Sequence, residues 1–293
     1  MRTKISRFIA SALFLFFTAF PASVAAGGAD PQPMRLRVLT YNIHHGEGVD
    51  SKLDLPRIAR VIAEQKPDLV ALQEVDVKTQ RTGGVDQPAE LAKLTGMHAA
   101  FGKGIDYQGG EYGNAVLSRF PIQSKTIHPL PAGEGEERRN ATVVVVRPWE
   151  GGPALRFVAT HLNYRDEAER VREVEAIQRA LKQGEGADLP TVLAGDLNAR
   201  PGTAPLKLFA PDWKDAAAEG GAGDAPEAAT FPAEQPVRRI DYVMLRPAAA
   251  WRVAETKVVA EPVASDHRPV LAVVELLPEK AVQSPAPAPQ PRR

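Results

Sequence analysis

Eight short apolar runs recur along this chain, and their punctuation constrains its fold more than any other feature. They are LRVLTYN (36–42), DLVALQE (68–74), NAVLSRF (114–120), ATVVVVR (141–147), LRFVATHL (155–162), PTVLAGD (190–196), IDYVMLR (240–246) and PVLAVVEL (269–276). Val, Ile, Leu, Thr and Tyr dominate them, and Gly, Pro or Asp flank most of them, which is the pattern of β-strands. ATVVVV is apolar on both faces, so it belongs inside a core between two sheets. Helices are fewer. Leu55 to Gln65 carries Ile58, Val61 and Ile62 on one face, with Asp54 placed to cap it. Asp86 can cap a short helix through Leu94, closed by Gly96. Asp166 to Gln183 has capping-box spacing at Asp166 and Glu169. Val171, Val174, Ile177 and Leu181 form its apolar stripe, and Gly184 stands where a left-handed terminator belongs. Many strands with few helices predict two packed sheets with helices on their outer faces. The Gly/Ala/Glu-rich stretch 216–229 is expected to be a mobile loop.

The ends of the chain are of a different kind. Arg2, Lys4 and Arg7 precede an apolar run from Phe8 to Phe20, which Pro21 breaks, and the small residues ASVAAGG follow. This is the order of a secretory signal. Val24 and Ala26 suit a cut after Ala26, and a cut after Ala25 is nearly as good. The alternative is an uncleaved anchor, for which the run is thin against the ~20 residues of a spanning helix. The reading is therefore a signal over 1–26, a domain over 34–277 and a Pro/Ala-rich extended tail over 278–293. The mature protein is expected outside the cytoplasm, periplasmic or secreted, as a monomer without a transmembrane segment.

Loss of the three basic residues leaves 33 Lys and Arg against 36 Asp and Glu, a net charge of −3, which exerts no global pull on nucleic acid or anionic membrane. The absence of cysteine excludes a disulfide scaffold, a thiolate metal site and a Cys nucleophile.

Polar residues stand at the ends of the apolar runs, where a scaffold presents side chains to a cleft. Asn42 ends the first and Glu74 the second, and His161 lies near the end of the fifth. Asp196 and Asn198 follow PTVLAG, Asp241 opens DYVML, and Asp266 and His267 precede PVLAVVEL. Singly, each reads as a turn former or an ordinary histidine. Together, they fit one chemistry. Glu74, with Asn42 and Asp266, offers oxygen ligands suited to a hard divalent cation, and the histidines with the Asp-x-Asn pair can orient phosphate and water. No G-x-S-x-G elbow, H-E-x-x-H helix or Walker A loop competes with that reading.

The segments YNIHHGEG, LVALQEVD, YGNAVLSRFPI, ATHLNY, LAGDLNARPGT, RRIDYVML and SDHRPV resemble, in order, the motifs of the endonuclease/exonuclease/phosphatase family. That family includes DNase I-like nucleases, abasic-site endonucleases, neutral sphingomyelinases and inositol-polyphosphate phosphatases. The resemblance implies a four-layer α/β sandwich of two mixed sheets flanked by helices, and Mg²⁺-dependent (or Mn²⁺-dependent) phosphoester hydrolysis. It implies Glu74, Asn42 and Asp266 at the metal, and Asp196 and Asn198 positioning water and phosphate. His267 becomes the catalytic histidine, oriented by Asp241, with His161 as a second histidine. Tyr112 and Asn114 match a segment lining the cleft. Arg139 is the candidate phosphate-binding arginine, with Arg138 as its alternative.

The expected substrate is a phosphoester. Nucleic acid is possible but not favoured, because no stripe of basic and aromatic residues is visible. A phospholipid head group and a sugar phosphate suit the site equally. The competing reading is a catalytically inactive binding module on the same fold, against which the intact constellation argues.

Overall fold

The computed structural model describes residues 34–148, 151–184, 186–219 and 225–278. The expected signal and the tail beyond Pro278 lie outside them, as do residues 220–224 of the expected mobile loop. Twelve strands form two six-stranded sheets. The strands are β1 (Met34–Asn42), β2 (Leu69–Val77), β3 (His98–Tyr107), β4 (Gly110–Ser118), β5 (Ile122–Pro129) and β6 (Asn140–Val146). They continue with β7 (Leu155–His161), β8 (Thr191–Asp196), β9 (Lys214–Asp215), β10 (Asp241–Arg246), β11 (Trp251–Val258) and β12 (Val270–Leu276). One sheet runs β11-β12-β1-β2-β4-β3 and the other β5-β6-β7-β8-β10-β9. Each has a single parallel pair at its centre, β1/β2 and β7/β8, and is otherwise antiparallel. Helix α1 (Leu55–Gln65) joins the first pair and α3 (Glu167–Gln183) the second, while α2 (Gln87–Thr95) follows β2.

Strand periodicity sorts the side chains into layers. Leu69 and Ala71 of β2 pack between the sheets against Val144, Phe157 and Val192, whereas Val70 and Leu72 face Ile58 and Ile62 of α1 and Leu91 of α2. In the second sheet Val143, Val158 and Leu193 meet Val174, Ile177 and Leu181 of α3. Strand β6 thus divides its valines between two cores, as its sequence requires. Each such fully buried side chain contributes about 1.5–3 kcal/mol.

Caps fix the helix starts. Asp54 accepts from Arg57 N at 2.8 Å, Asp86 from Ala89 N at 3.1 Å and Asp166 from Glu169 N at 3.0 Å. Two details differ from expectation. The Asp166 backbone N–H is taken by Asn163 Oδ1 at 2.9 Å, because Glu169 turns instead to Arg172. Gly184 is extended, with φ −82°, rather than left-handed. Buried Arg156 reaches the Leu181 carbonyl at 2.9 Å, so the end of α3 needs no glycine turn there. Within the stretch 216–229, Ala216–Glu219 forms a helical turn and Pro226–Ala228 a 3-10 turn. Among the described residues no helix is long and apolar enough to cross a membrane.

Candidate active site

Parallel neighbours end at the same edge of a sheet. The β1/β2 pair therefore delivers Asn42 and Glu74 together, and the β7/β8 pair delivers His161 and Asp196. Strand β10 runs antiparallel to β8 and sets its first residue, Asp241, directly opposite Asp196. Like charges in that register repel. His267, in the loop entering β12, counters them: its Nδ1 lies 2.9 Å from Asp241 Oδ2 and its Nε2 3.7 Å from Asp196 Oδ2. Ser265 fastens this loop, donating to the Asn42 carbonyl at 2.7 Å and accepting from His267 N at 3.3 Å.

Two backbone devices aim the carboxylates. Between Leu72↔Ala115 and Val75↔Gly113, β2 carries one residue more than β4, and in that bulge Glu74 adopts a left-handed φ of +57°. Such a conformation costs an ordinary side chain on the order of 1 kcal/mol or more, and here it turns Glu74 toward the cleft. Gly195 precedes Asp196 because a Cβ there would stand 2.1 Å from the Thr160 carbonyl oxygen of β7.

One oxygen is the hub. Asn42 Nδ2 lies 3.3 Å from Asp196 Oδ2 and 3.0 Å from Glu74 Oε1, so a single amide ties the two sheets. His161 Nε2 approaches the same Asp196 oxygen at 3.4 Å. Asp196 Oδ1 accepts the Asn198 backbone N–H at 2.9 Å, and the Asn198 amide donates to Leu162 O at 3.0 Å. Burial, and then the charge of Asp241, push the Asp196 carboxyl up to about 7, against the pull of His267 and the N–H donors. Burial opposes charge on His267, but Asp241 and Asp196 override it and raise the ring to about 10.

The two histidines are therefore unlike. Arg139 Nη1 donates to His161 Nδ1 at 2.9 Å, which puts the ring proton on Nε2. Burial, the Arg139 charge and the His267 charge hold His161 well below the usual imidazole range.

These groups line a cleft of about 340 Å³ that includes Glu74, Tyr112, Arg139, Asn198 and Asp266. Arg139 lines it and Arg138 does not. Asn114 departs from expectation. It is buried behind the cleft, where its amide donates to Asn140 O at 3.2 Å, so it braces β6 instead of lining the cavity. Asn42 presents N–H groups to the carboxylates, while its Oδ1 accepts from His44 N at 3.1 Å.

Sequence reasoning missed Glu137, Tyr164, Phe231, Arg238 and Ser265. Glu137 Oε1 lies 3.0 Å from Arg139 Nη1, and burial raises its carboxyl. Phe231 packs on His267 with ring centroids 4.8 Å apart, and Arg238 covers the Phe231 ring at 4.6 Å. Tyr164, Arg238 and Ser265 sit inside segments already singled out, ATHLNY, RRIDYVML and SDHRPV. Glu137 and Phe231 carry no local signal.

The donor set suits a divalent cation. Glu74 and Asp266 face one cleft beside the buried Asp196 and Asp241, an excess of carboxylate that only partly finds cationic partners in Arg139 and His267.

Comparison with known proteins agrees with this geometry. The chain is 27% identical over 256 residues to the uncharacterized protein YbhP of Escherichia coli K12, covering 84% of this chain and 98% of that one. It is similar to a Beutenbergia cavernae endonuclease/exonuclease/phosphatase structure, with TM-score 0.69, 29% identity, and coverage of 83% of this chain and 72% of that one. It shares its fold with the human nocturnin catalytic domain, with TM-score 0.66, 22% identity, and coverage of 85% and 96%. The model of the Endonuclease/Exonuclease/phosphatase family matches residues 39–267, from within β1 to the histidine beside Asp241. That match spans every residue of the expected site, and the chain belongs to this family of phosphoester hydrolases.

Proposed function

We propose that the protein is an exported, divalent-metal-dependent phosphodiesterase that cleaves its substrate by attack of water, assisted by metal and histidine. The observation that carries this reading is the convergence on Asp196 Oδ2 of Asn42, His161 and His267, drawn from both sheets. A carboxylate pushed up to about 7 is matched to accepting a proton from water near neutral pH. Charged His267, fixed by Asp241, and Arg139 supply preorganised positive charge for phosphoryl oxygens. His161 remains neutral and offers its Nε2–H. Tyr112 and Asn198 complete the polar wall.

Glu74 and Asp266 would hold Mg²⁺ or Mn²⁺, with Asn42 steering the Glu74 carboxylate. The bound cation would neutralise phosphoryl charge and stabilise the leaving oxygen. The human nocturnin catalytic domain, which shares this fold, has a bound sulfate anion, which is in keeping with an oxyanion ligand. Export rests on the basic, apolar, small-residue order of the N-terminus.

The substrate class is a phosphodiester of nucleic acid or of a phospholipid head group. The test is hydrolysis of bis-p-nitrophenyl phosphate with Mg²⁺ or Mn²⁺, with and without EDTA. A panel of plasmid DNA, RNA, sphingomyelin and phosphomonoesters follows. The mannosyl-6-phosphatase of Bacteroides thetaiotaomicron shares the fold, with TM-score 0.68 and 20% identity, which makes the monoesters a necessary arm. EDTA-sensitive hydrolysis is expected. No turnover of any ester with either ion would leave the inactive binding module as the correct reading.

A further inference from the structure

The His-His-Gly-Glu segment after β1 takes no part in the chemistry above, yet it is built at a cost. His44 and His45 both hold left-handed backbone, with φ of +45° and +44°, followed by Gly46 at +81°. Two consecutive non-glycine residues in that region are strained by about 1–3 kcal/mol each and persist only where the surroundings dictate them. Buried Gln87 supplies one such constraint, donating to the His45 carbonyl at 2.6 Å.

The turn gathers metal-ligating atoms. One ring nitrogen of His44, one of His45 and a Glu74 carboxylate oxygen lie within 4.8 Å of one another. Glu47 sets the state of both rings. Its carbonyl oxygen can only accept, so at 3.2 Å it fixes the proton of His44 on Nδ1 and leaves a lone pair on Nε2. Its carboxylate Oε2 stands 3.4 Å from His45 Nε2 and draws the proton of that ring there. The lone pair of His45 then falls on Nδ1, and this atom is buried without a hydrogen-bond partner among the described residues, in a residue only 8% exposed.

Imidazoles that ligate metals characteristically give their second N–H to a carbonyl or carboxylate. The nearby cation, Arg81, is held by both oxygens of Asp76 at 2.7 and 2.8 Å, which offsets its charge. We propose that His44, His45 and Glu74 bind a divalent first-row transition ion that accepts imidazole nitrogen, of the Zn²⁺ or Co²⁺ type, beside the phosphate cleft. Nitrogen donors select such ions over Mg²⁺, which prefers oxygen. The proposal rests on the phosphodiesterase reading only through the shared Glu74.

The test is binding to the metal-stripped full-length protein in excess Mg²⁺. Co²⁺ is followed by its visible absorption, and Zn²⁺ by competition with a chromophoric chelator. The wild type is expected to bind both. His44→Ala/His45→Ala should lose the Co²⁺ band and weaken Zn²⁺ binding at least tenfold, and Glu47→Gln should weaken it about 10–100-fold. Circular dichroism checks the fold, and single His44→Gln and His45→Gln variants replace the double should it unfold. Unchanged Co²⁺ spectra and Zn²⁺ affinity in folded variants would overturn the proposal, as would failure of the wild type to bind Co²⁺ in the presence of the excess Mg²⁺. Ester hydrolysis with Mg²⁺ alone reports separately on the proposed function. Its absence beside histidine-dependent Co²⁺ binding would sink that function and leave this site standing.

Discussion

Replacing Asp241 with Asn tests the proposed site at a buried contact. Asp241 is 2% exposed, its Oδ2 accepts from His267 Nδ1 at 2.9 Å, and its Oδ1 has no hydrogen-bond partner among the described residues. It leads the three carboxylates, Asp241, Asp196 and Asp266, that raise His267 from 6.5 to about 10 against burial. At about 1.4 kcal/mol per pKa unit, that rise favours the charged ring by on the order of 5 kcal/mol. Asp241→Asn removes the leading one of these charges and leaves the burial, so the ring should titrate lower than in the wild type. The amide can also present the wrong group to Nδ1. A comparable change in another His–Asp pair costs about 10⁴ in turnover, so a loss of about 10²–10⁴ is expected here. Because the pair acts as a unit, Asp241→Asn/His267→Ala should be scarcely slower than His267→Ala alone. Single-turnover hydrolysis of bis-p-nitrophenyl phosphate at saturating Mg²⁺, with ¹⁵N NMR titration of the imidazoles, reads both effects. Independent multiplication of the two losses, or an unmoved His267 titration, would refute the coupling.

Four further outcomes are expected. Glu74→Gln, which removes charge at nearly constant volume, should abolish most activity and flatten the Mg²⁺ dependence with folding intact; an unchanged metal titration excludes Glu74 as a principal ligand. Arg139→Met should lower kcat/KM by about 10²–10³, the scale of one lost oxyanion donor, and a rate within twofold of wild type would remove Arg139 from the phosphate site. In EDTA, the contribution of His267 to stability should be complete below pH 6.5 and lost as pH rises through about 10, because the folded protein holds the proton more tightly than the unfolded chain. The Tm of the wild type should accordingly fall more steeply over that window than that of His267→Gln, and parallel slopes would count against a charged ring. N-terminal sequencing of exported protein should begin near Gly27, whereas an intact Met1 in the membrane fraction would indicate an anchor.

What the sequence could and could not reveal divides along the sheets. All eight apolar runs are strands, and none of the eight is a sheet edge. The four strands without a signal, β3, β5, β9 and β11, are the four edges. An edge strand pairs on one side only and leaves much of its length to solvent. Ile122–Pro129 and Trp251–Val258 accordingly carry Gln, Lys, Arg and Glu where an interior strand carries Val. The same division holds at the site. Asn42, Asp196 and Asp241 end or open interior strands, and Glu74 closes the apolar run of β2, so their positions could be read from the apolar runs. Phe231, Arg238 and Glu137 come from irregular segments, and only the packing of the two sheets brings them to the cleft. Asn114 shares a motif with cleft-lining Tyr112, yet it is buried and its amide is spent on the Asn140 carbonyl of β6, a partner that no local pattern reveals.

The rules that make the rest of the chain legible are broken where the chemistry is expected. Asp196 and Asp241 face each other in register, although like charges opposed across a sheet destabilise it. Glu74, Asn198, His44 and His45 all take positive φ without being glycine. Neither the sheets nor the helices need these features. The interior strands would pair as well with Thr at 196 and 241, and β2 would run straighter without its bulge. Such costs survive when something local offsets them, as His267 does for the two aspartates. The offset at Asp196 and Asp241 is visible and amounts to one buried imidazole. At Glu74 and the His44–His45 turn, Asn42, Glu47 and Gln87 orient the ligand atoms, and the Arg139 charge offsets that of Glu74 only in part, since Arg139 is also paired with Glu137. A bound cation would supply that missing compensation. Excess divalent metal should therefore raise the Tm of the wild type more than that of Glu74→Gln.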